Sequence, residues 1–262
     1  MIDICTEILS NENITQDTFL LRFLSPELAA SAEPGQFVML KINEGNDPTL
    51  RRPFSICGTD EEGIVRIIYK VVGRGTRYLS DKKPGDYVSV LGPLGKGFKE
   101  IGRSKMIYLI AGGIGIAPLL FLCQKIESTD ITFLTGFRTS GEIIDPALTG
   151  IETDNVIATD DGSIGYYGKV TNLLSERISR NNPGNISVYT CGPLPMLKAV
   201  RKICFENNIP CQVSMETFMA CGLGVCQGCV VGSDISETGK HYLHVCKEGP
   251  VFDIEELDWD NI

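Results

Sequence analysis

Met106-Ile-Tyr-Leu-Ile-Ala-Gly-Gly-Ile-Gly-Ile-Ala-Pro118 is the stretch on which the fold turns. Residues 106–111 read as a strand buried on both faces. Glycines follow at 112, 113 and 115, and an apolar helix pattern covers 119–126. A glycine turn between a buried strand and a helix brings backbone close to an anion, where free N–H groups and the helix dipole favour phosphate. Gly113-x-Gly115-x-x-Pro118 is not a full dinucleotide fingerprint, because Pro118 stands where a third glycine or alanine is expected. A tight structural turn accounts for it nearly as well. Pro118 itself suits the first turn of a helix, where its missing N–H costs nothing.

Working outward, apolar runs at 131–136, 155–159 and 186–191 read as strands, and helical patterns cover 169–178 and 195–207. Strands alternating with helices predict a doubly wound parallel α/β domain over 102–210, with ligands at the carboxyl ends of its strands. Upstream the rhythm differs. Runs rich in β-branched residues at 37–42, 64–72 and 87–91 are punctuated by Pro34-Gly35, Glu62-Gly63 and Pro84-Gly85. Residues 1–101 therefore read as a small all-β antiparallel barrel.

The third segment, 211–262, carries Cys221-Gly-Leu-Gly-Val-Cys226-Gln-Gly-Cys229 and a later Cys246. This C-x4-C-x2-C spacing with a distant fourth cysteine is that of plant-type [2Fe-2S] centres. Gly222, Gly224 and Gly228 let the loop fold tightly and aim N–H groups at sulfur. Zinc is the rival. Cys226 and Cys229 with His241 and His244 miss the usual finger spacing and leave Cys221 and Cys246 unused, but a four-cysteine zinc site remains open. Disulfides are not expected, because the start Met-Ile-Asp-Ile-Cys has neither a basic nor an apolar leader region. The remaining cysteines read mostly as small buried hydrophobes in a reducing cytoplasm. The C-terminal Asp253-Ile-Glu-Glu-Leu-Asp-Trp-Asp reads as a solvated acidic end.

The 262 residues carry a net charge of −9, which excludes sequence-independent nucleic-acid binding and leaves room for a basic protein partner. No apolar stretch reaches the length of a membrane span. In the barrel, Arg51-Arg52-Pro53-Phe54-Ser55 offers an arginine fork for phosphate beside an extended strand, although an edge strand with two surface arginines is the plainer reading. Gly73-Arg74-Gly75-Thr76 is a turn able to offer N–H groups to a diphosphate.

Taken together, Arg52-Pro53-Phe54-Ser55, Gly75-Thr76, the 112–118 loop and Cys191-Gly192-Pro193 resemble the ferredoxin–NADP reductase superfamily. In that superfamily a barrel binds flavin and an α/β domain binds a nicotinamide nucleotide. Met215-Glu216-x3-Ala220-Cys221, the cysteine run and Ala158-Thr-Asp-Asp-Gly-Ser163 narrow the likeness. The chain resembles the electron-transfer subunits of type-B dihydroorotate dehydrogenases over essentially its whole length.

The resemblance implies residue roles. Arg52 would meet the FAD phosphates, with Pro53, Phe54 and Ser55 along the flavin. Tyr69, Lys70 and Val71 would pack beside it, and Gly75 and Thr76 would cradle its pyrophosphate. Gly113, Gly115 and Pro118 would bound the nucleotide cleft, with Cys191, Gly192 and Pro193 near the nicotinamide. Cys221, Cys226, Cys229 and Cys246 would hold the [2Fe-2S] cluster. No side chain is expected to act as a catalytic acid or base.

It implies also an FMN-bearing catalytic partner that oxidises dihydroorotate, assembled as a heterotetramer with two copies of each subunit. Electrons would pass through the cluster and FAD to NAD, in pyrimidine biosynthesis. NAD rather than NADP follows only from the resemblance, since Arg138 after the second α/β strand suits a 2′-phosphate equally well. Two other functions remain open: the flavin and iron–sulfur subunit of another multi-subunit NAD(P)H reductase, and a zinc-stabilised redox-sensing module.

Overall fold

The computed structural model describes residues 1–43, 45, 49–100, 106–126, 130–150, 153–234 and 241–262. The expected boundary at 101/102 lies outside the described residues. In the first part, β1 (Ile2–Asn13), β2 (Thr18–Leu24), β3 (Phe37–Lys41), β4 (Arg52–Thr59), β5 (Ile64–Lys70) and β6 (Tyr87–Leu94) close an antiparallel barrel in the order β1-β2-β5-β4-β3-β6. The three turn glycines all take positive φ, 93° at Gly35, 82° at Gly63 and 91° at Gly85, a conformation that costs any residue with a Cβ. Two short helices, α1 (Pro26–Ser31) and α2 (Arg74–Ser80), lie between strands. Ile8, Leu21, Phe23, Val38, Ile56 and Ile67 fill the barrel interior.

The second part is a seven-stranded sheet. It comprises β7 (Met106–Gly112), β8 (Ile131–Phe137), β9 (Asp154–Thr159), β10 (Tyr166–Tyr167), β11 (Ile186–Cys191), β12 (Cys211–Ser214) and, from the C-terminal segment, β15 (Val251–Asp253). The order is β10-β9-β8-β7-β11-β12-β15, parallel except for β15 against β12. Helices α3 (Ile116–Lys125), α4 (Val170–Ser179) and α5 (Leu194–Glu206) complete the doubly wound unit. Strand order reverses between β7 and β11, which is where such sheets open a ligand crevice.

The barrel and sheet share a core. Leu20, Cys57 and Ile68 of the barrel pack with Leu109, Leu119 and Leu120 of the sheet unit. The Gln124 amide of α3 is tied to the Thr59 backbone on β4, accepting from its N–H at 3.3 Å and donating to its carbonyl. The two units are thus held at a fixed offset, with β4 next to the helix that follows the glycine loop.

The segment from 211 enters through this sheet, forms the cysteine loop and a small ladder of β13 (Val230–Gly232) with β14 (Tyr242–His244), and returns as β15. The acidic end is not solvated as expected. Phe252, Ile254, Leu257 and Trp259 are buried around a turn at 254–256, and the Trp259 indole donates to the Ile254 carbonyl at 2.6 Å. Burial of these four side chains outweighs the carboxylates between them. Cys57, Cys191, Cys204 and Cys211 are buried free thiols, whereas Cys5 is exposed. Among the described residues no helix is long and apolar enough to cross a membrane.

Candidate functional site

The carboxyl ends of β7, β8 and β11 open on a cavity of about 670 Å³, within the range of pockets that take small organic ligands. Gly112, Gly113 and Ile114 form one wall, and Gly192, Pro193 and Met196 the facing one. Gly115 lies behind that wall, where an added Cβ would overlap the carbonyl oxygen of Cys191, so only glycine lets the two loops meet. Pro118 sits buried in the first turn of α3, shaping the loop rather than lining the cavity. Cys191 is buried, and burial, followed by the charge of Glu216, pushes its thiol pKa well up. Glu216 reaches the cavity, and protein mass around it raises its carboxyl pKa.

At the far end stand charged residues, among them Lys70, which was expected beside the flavin. Lys70 of the barrel bonds Asp17 Oδ2 at 3.1 Å and Glu142 Oε1 at 3.5 Å across the domain junction. Arg138 Nε donates to both Glu142 carboxylate oxygens at 3.1 and 3.2 Å, and its Nη2 donates to Oε1. Asp160 and Lys169 complete the rim. The placement of Arg138 directly after a strand was readable beforehand, whereas Asp17 and Glu142 were not signalled.

On the barrel, the two arginines divide their work. Arg51 is consumed by structure, donating to the Met39 and Ser89 carbonyls and pairing with Asp3. Arg52 lies against the start of α2, where a Cβ on Gly75 would fall 2.8 Å from its Nε. Thr76 ties off that start: its hydroxyl accepts from the Val72 and Gly73 N–H groups and donates to the Gly73 carbonyl. The expected turn is therefore the first turn of a short helix, and it brings Arg52, Gly75 and Thr76 together. In register, Met39 faces Pro53 and Phe37 faces Ser55, all on the outer side of the barrel, whereas Phe54 pairs with Val38 on the inside. Tyr69 is also internal. It stacks on Phe19 at 5.5 Å, meets Phe54 edge-on and donates its hydroxyl to Asn11 at 2.9 Å. Val71 follows at the strand end, half-buried, with its N–H bonded to the Asp17 carbonyl.

The cysteine loop is drawn around its sulfurs. Gly224 N–H donates to Cys246 Sγ at 3.0 Å, Leu223 N–H to Cys221 Sγ at 3.3 Å and Gly228 N–H to Cys226 Sγ at 3.4 Å. Burial raises the Cys221 thiol, but backbone N–H groups of Leu223, Cys226 and Val225 and the Cys226 side chain bring its pKa down to about 6. Burial, followed by the adjacent Cys229, pushes Cys246 up to about 12. Among the described residues no three His, Cys, Asp or Glu side chains gather as a site for one metal ion. Cys226 acts on Cys221, and both Cys229 and Cys221 act on Cys246. Four cysteine sulfurs, three of them accepting from backbone N–H groups, fit a two-iron core. His244 is engaged elsewhere, its Nδ1 being 3.0 Å from Glu248.

The pair Cys229 and Cys246 is buried and Cys226 is exposed. On its inner side the loop presses on the barrel: Gly222, at φ 72°, leaves no room for a Cβ, which would lie 2.7 Å from Met39 Cγ.

A barrel with an arginine-and-glycine phosphate corner, a doubly wound domain with a cleft at its switch point, and a sulfur-rich loop define a flavin- and nicotinamide-dependent oxidoreductase with an iron–sulfur domain. Residues 6–98 match the family described as oxidoreductase FAD-binding domain, and residues 216–258 match the iron-sulfur cluster binding domain of dihydroorotate dehydrogenase B. The chain is 38% identical to the electron transfer subunit of dihydroorotate dehydrogenase B (NAD(+)) of Desulforamulus reducens, covering 97% of each. It is 34% identical to that of Fusobacterium nucleatum, covering 96% of each. Among solved structures, a chain of an NADH-dependent reduced ferredoxin-NADP oxidoreductase superposes with a TM-score of 0.83 at 30% identity, covering 97% of this chain and 90% of that one. A ferredoxin NADP+ reductase from Neisseria gonorrhoeae shares the fold at 18% identity, with a TM-score of 0.67 over 78% of this chain and 91% of that one. This chain belongs to the family of electron transfer subunits of dihydroorotate dehydrogenase B (NAD(+)).

Proposed function

We propose that this chain takes electrons singly from a dihydroorotate-oxidising, FMN-bearing partner and delivers them as a hydride to NAD. The observation that carries this reading is the direct contact of Gly222 with Met39, whose strand neighbour is Pro53. The sulfur loop and the flavin strand are thereby one packed unit. When bound, the iron–sulfur centre supplies one-electron carriage and FAD supplies the exchange between single electrons and hydride.

The chain's own residues bind and orient. Cys221, Cys226, Cys229 and Cys246 hold the irons, and the loop N–H groups stabilise thiolate charge. Arg52 pairs with the FAD phosphates next to Gly75 and Thr76. Pro53 and Ser55 face the flavin from the outer side of the barrel, and Phe54 and Tyr69 brace that strand from within. Val71 flanks the flavin, while Lys70 serves the cavity rim. Gly113 brings backbone N–H groups to the dinucleotide pyrophosphate, Gly115 and Pro118 set the loop's shape, and Gly192 and Pro193 bound the nicotinamide end above Cys191. The three units are taken as 1–101, 102–210 and 211–262.

The partner docks at the open edge of the sulfur loop, around Phe218, Leu223 and Val225, which are 96%, 42% and 79% exposed. Apolar side chains held out beside a redox centre favour a protein lid over water. We take the assembly as two copies of each subunit. A reducing cytoplasm is supported by ten cysteines with no disulfide among them.

Arg52→Ala is expected to weaken FAD retention about 10- to 100-fold, the loss of one or two charge-assisted hydrogen bonds, read by flavin content after dialysis. Retention equal to wild type refutes that role. The FAD-loaded chain purified alone is expected to oxidise NADH with an artificial acceptor and to leave dihydroorotate untouched. Dihydroorotate turnover without a partner overturns the proposed division of labour.

A further inference from the structure

We infer that Glu142 sets the choice of NAD over NADP by holding the Arg138 guanidinium away from the ribose 2′ position. The inference rests on the proposed use of the cavity for the nicotinamide nucleotide. In doubly wound sheets the adenosine ribose lies beyond the second strand of the unit, where a carboxylate selects a free 2′-hydroxyl and an arginine selects a 2′-phosphate. That strand is β8, and Arg138 follows it directly.

By position alone Arg138 marks an NADP site, but the Nε/Nη2 edge of its guanidinium is filled. Nε and Nη2, one of the two edges that could grip a phosphate in bidentate fashion, both donate to the Glu142 carboxylate, which also lies 3.4 Å from the Arg138 backbone N–H. Glu142 is itself fixed from the opposite side. Lys70 Nζ, on the barrel, bonds its Oε1 at 3.5 Å while holding Asp17 at 3.1 Å. This anchoring across the domain junction keeps the carboxylate from swinging off the guanidinium. Asp17 and Asp160 also act on Arg138, so Lys70, Arg138 and Lys169 share this end of the cavity with three carboxylates. A dianionic 2′-phosphate would have to displace Glu142 from the guanidinium and lie beside Asp160. A 2′-hydroxyl needs only an acceptor, which the carboxylates supply. Rejection by a carboxylate already in place is specificity by an unfavourable alternative.

The test is calorimetric binding of 5′-AMP and of adenosine 2′,5′-bisphosphate to the FAD-loaded chain. It compares wild type, Glu142→Gln, Glu142→Ala and the double variant E142Q/R138Q, with melting temperatures confirming the fold. Glu142 lies in a surface turn, and the alanine variant stands in should glutamine keep the guanidinium occupied. Wild type is expected to bind 5′-AMP and to disfavour the bisphosphate. Either single variant should gain about tenfold or more in bisphosphate affinity, with a matching shift in the NADPH to NADH ratio of kcat/KM for an artificial acceptor, and the double variant should lose that gain. Unchanged bisphosphate affinity in both single variants, or a gain that survives loss of Arg138, overturns the inference while 5′-AMP binding keeps the cavity's role. No 5′-AMP binding to wild type, by calorimetry or by competition with NADH, overturns the cavity's role and the inference with it.

Discussion

A Cys226→Ser/Cys229→Ser variant, prepared without oxygen and co-purified with its partner, is expected to hold FAD but no acid-labile sulfide. Electron flow from dihydroorotate to NAD should fall by on the order of 10³-fold or more, equivalent to about 4 kcal/mol of barrier. The double change removes two of the four proposed cluster ligands. Serine is close in size, and Cys226 is exposed, so the barrel and its FAD corner have little reason to move. NADH oxidation by an artificial acceptor should persist, because hydride exchange uses the cleft and the flavin strand alone. Loss of both activities together would mean that the loop is a structural staple. Retention of both would remove the sulfur centre from the electron path.

The second large effect is expected at Gly115. A Cβ there overlaps the Cys191 carbonyl, a backbone atom that cannot turn aside. Gly115→Ala should force the glycine loop off the 191–193 turn, at a cost of about 3 kcal/mol in stability. The cleft should lose about 100-fold in kcat/KM for NADH, since displacements of that size misplace reacting groups. FAD content should stay near wild type, because Arg52, Gly75 and Thr76 lie on the barrel. A variant with unchanged NADH kinetics and unchanged melting would show that the two loops do not need to touch.

Much of this architecture could be read from the chain. Glycines ending a buried apolar run located β7 and the cleft, and Pro-Gly and Glu-Gly pairs marked the barrel turns. The spacing of the cysteines marked the loop, and the structure adds the N–H groups that point at their sulfurs. What escaped was governed by tertiary contact. β1 carries Ile2, Ile4 and Ile8 between charged residues, a half-buried pattern that a search for dense β-branched runs passes over. Helix α2 begins Arg74-Gly75-Thr76, a helix-poor start made viable by the bonds of the Thr76 hydroxyl. Tyr69 was expected beside the flavin, but its place in the β5 register puts its ring inside the barrel. The acidic end concealed a strand because carboxylates dominate its composition while four apolar side chains decide its burial. The contact of Lys70 with Glu142 joins separate units of the chain, so nothing local announces it.

Metal, sulfide and flavin analysis of the complex purified anaerobically bears most directly on the central claim. Two irons and two acid-labile sulfides per chain are predicted together with one FAD. Dihydroorotate should bleach the charge-transfer absorption, and NAD should restore it. One zinc per chain without sulfide, or iron whose spectrum dihydroorotate leaves unchanged, contradicts the account.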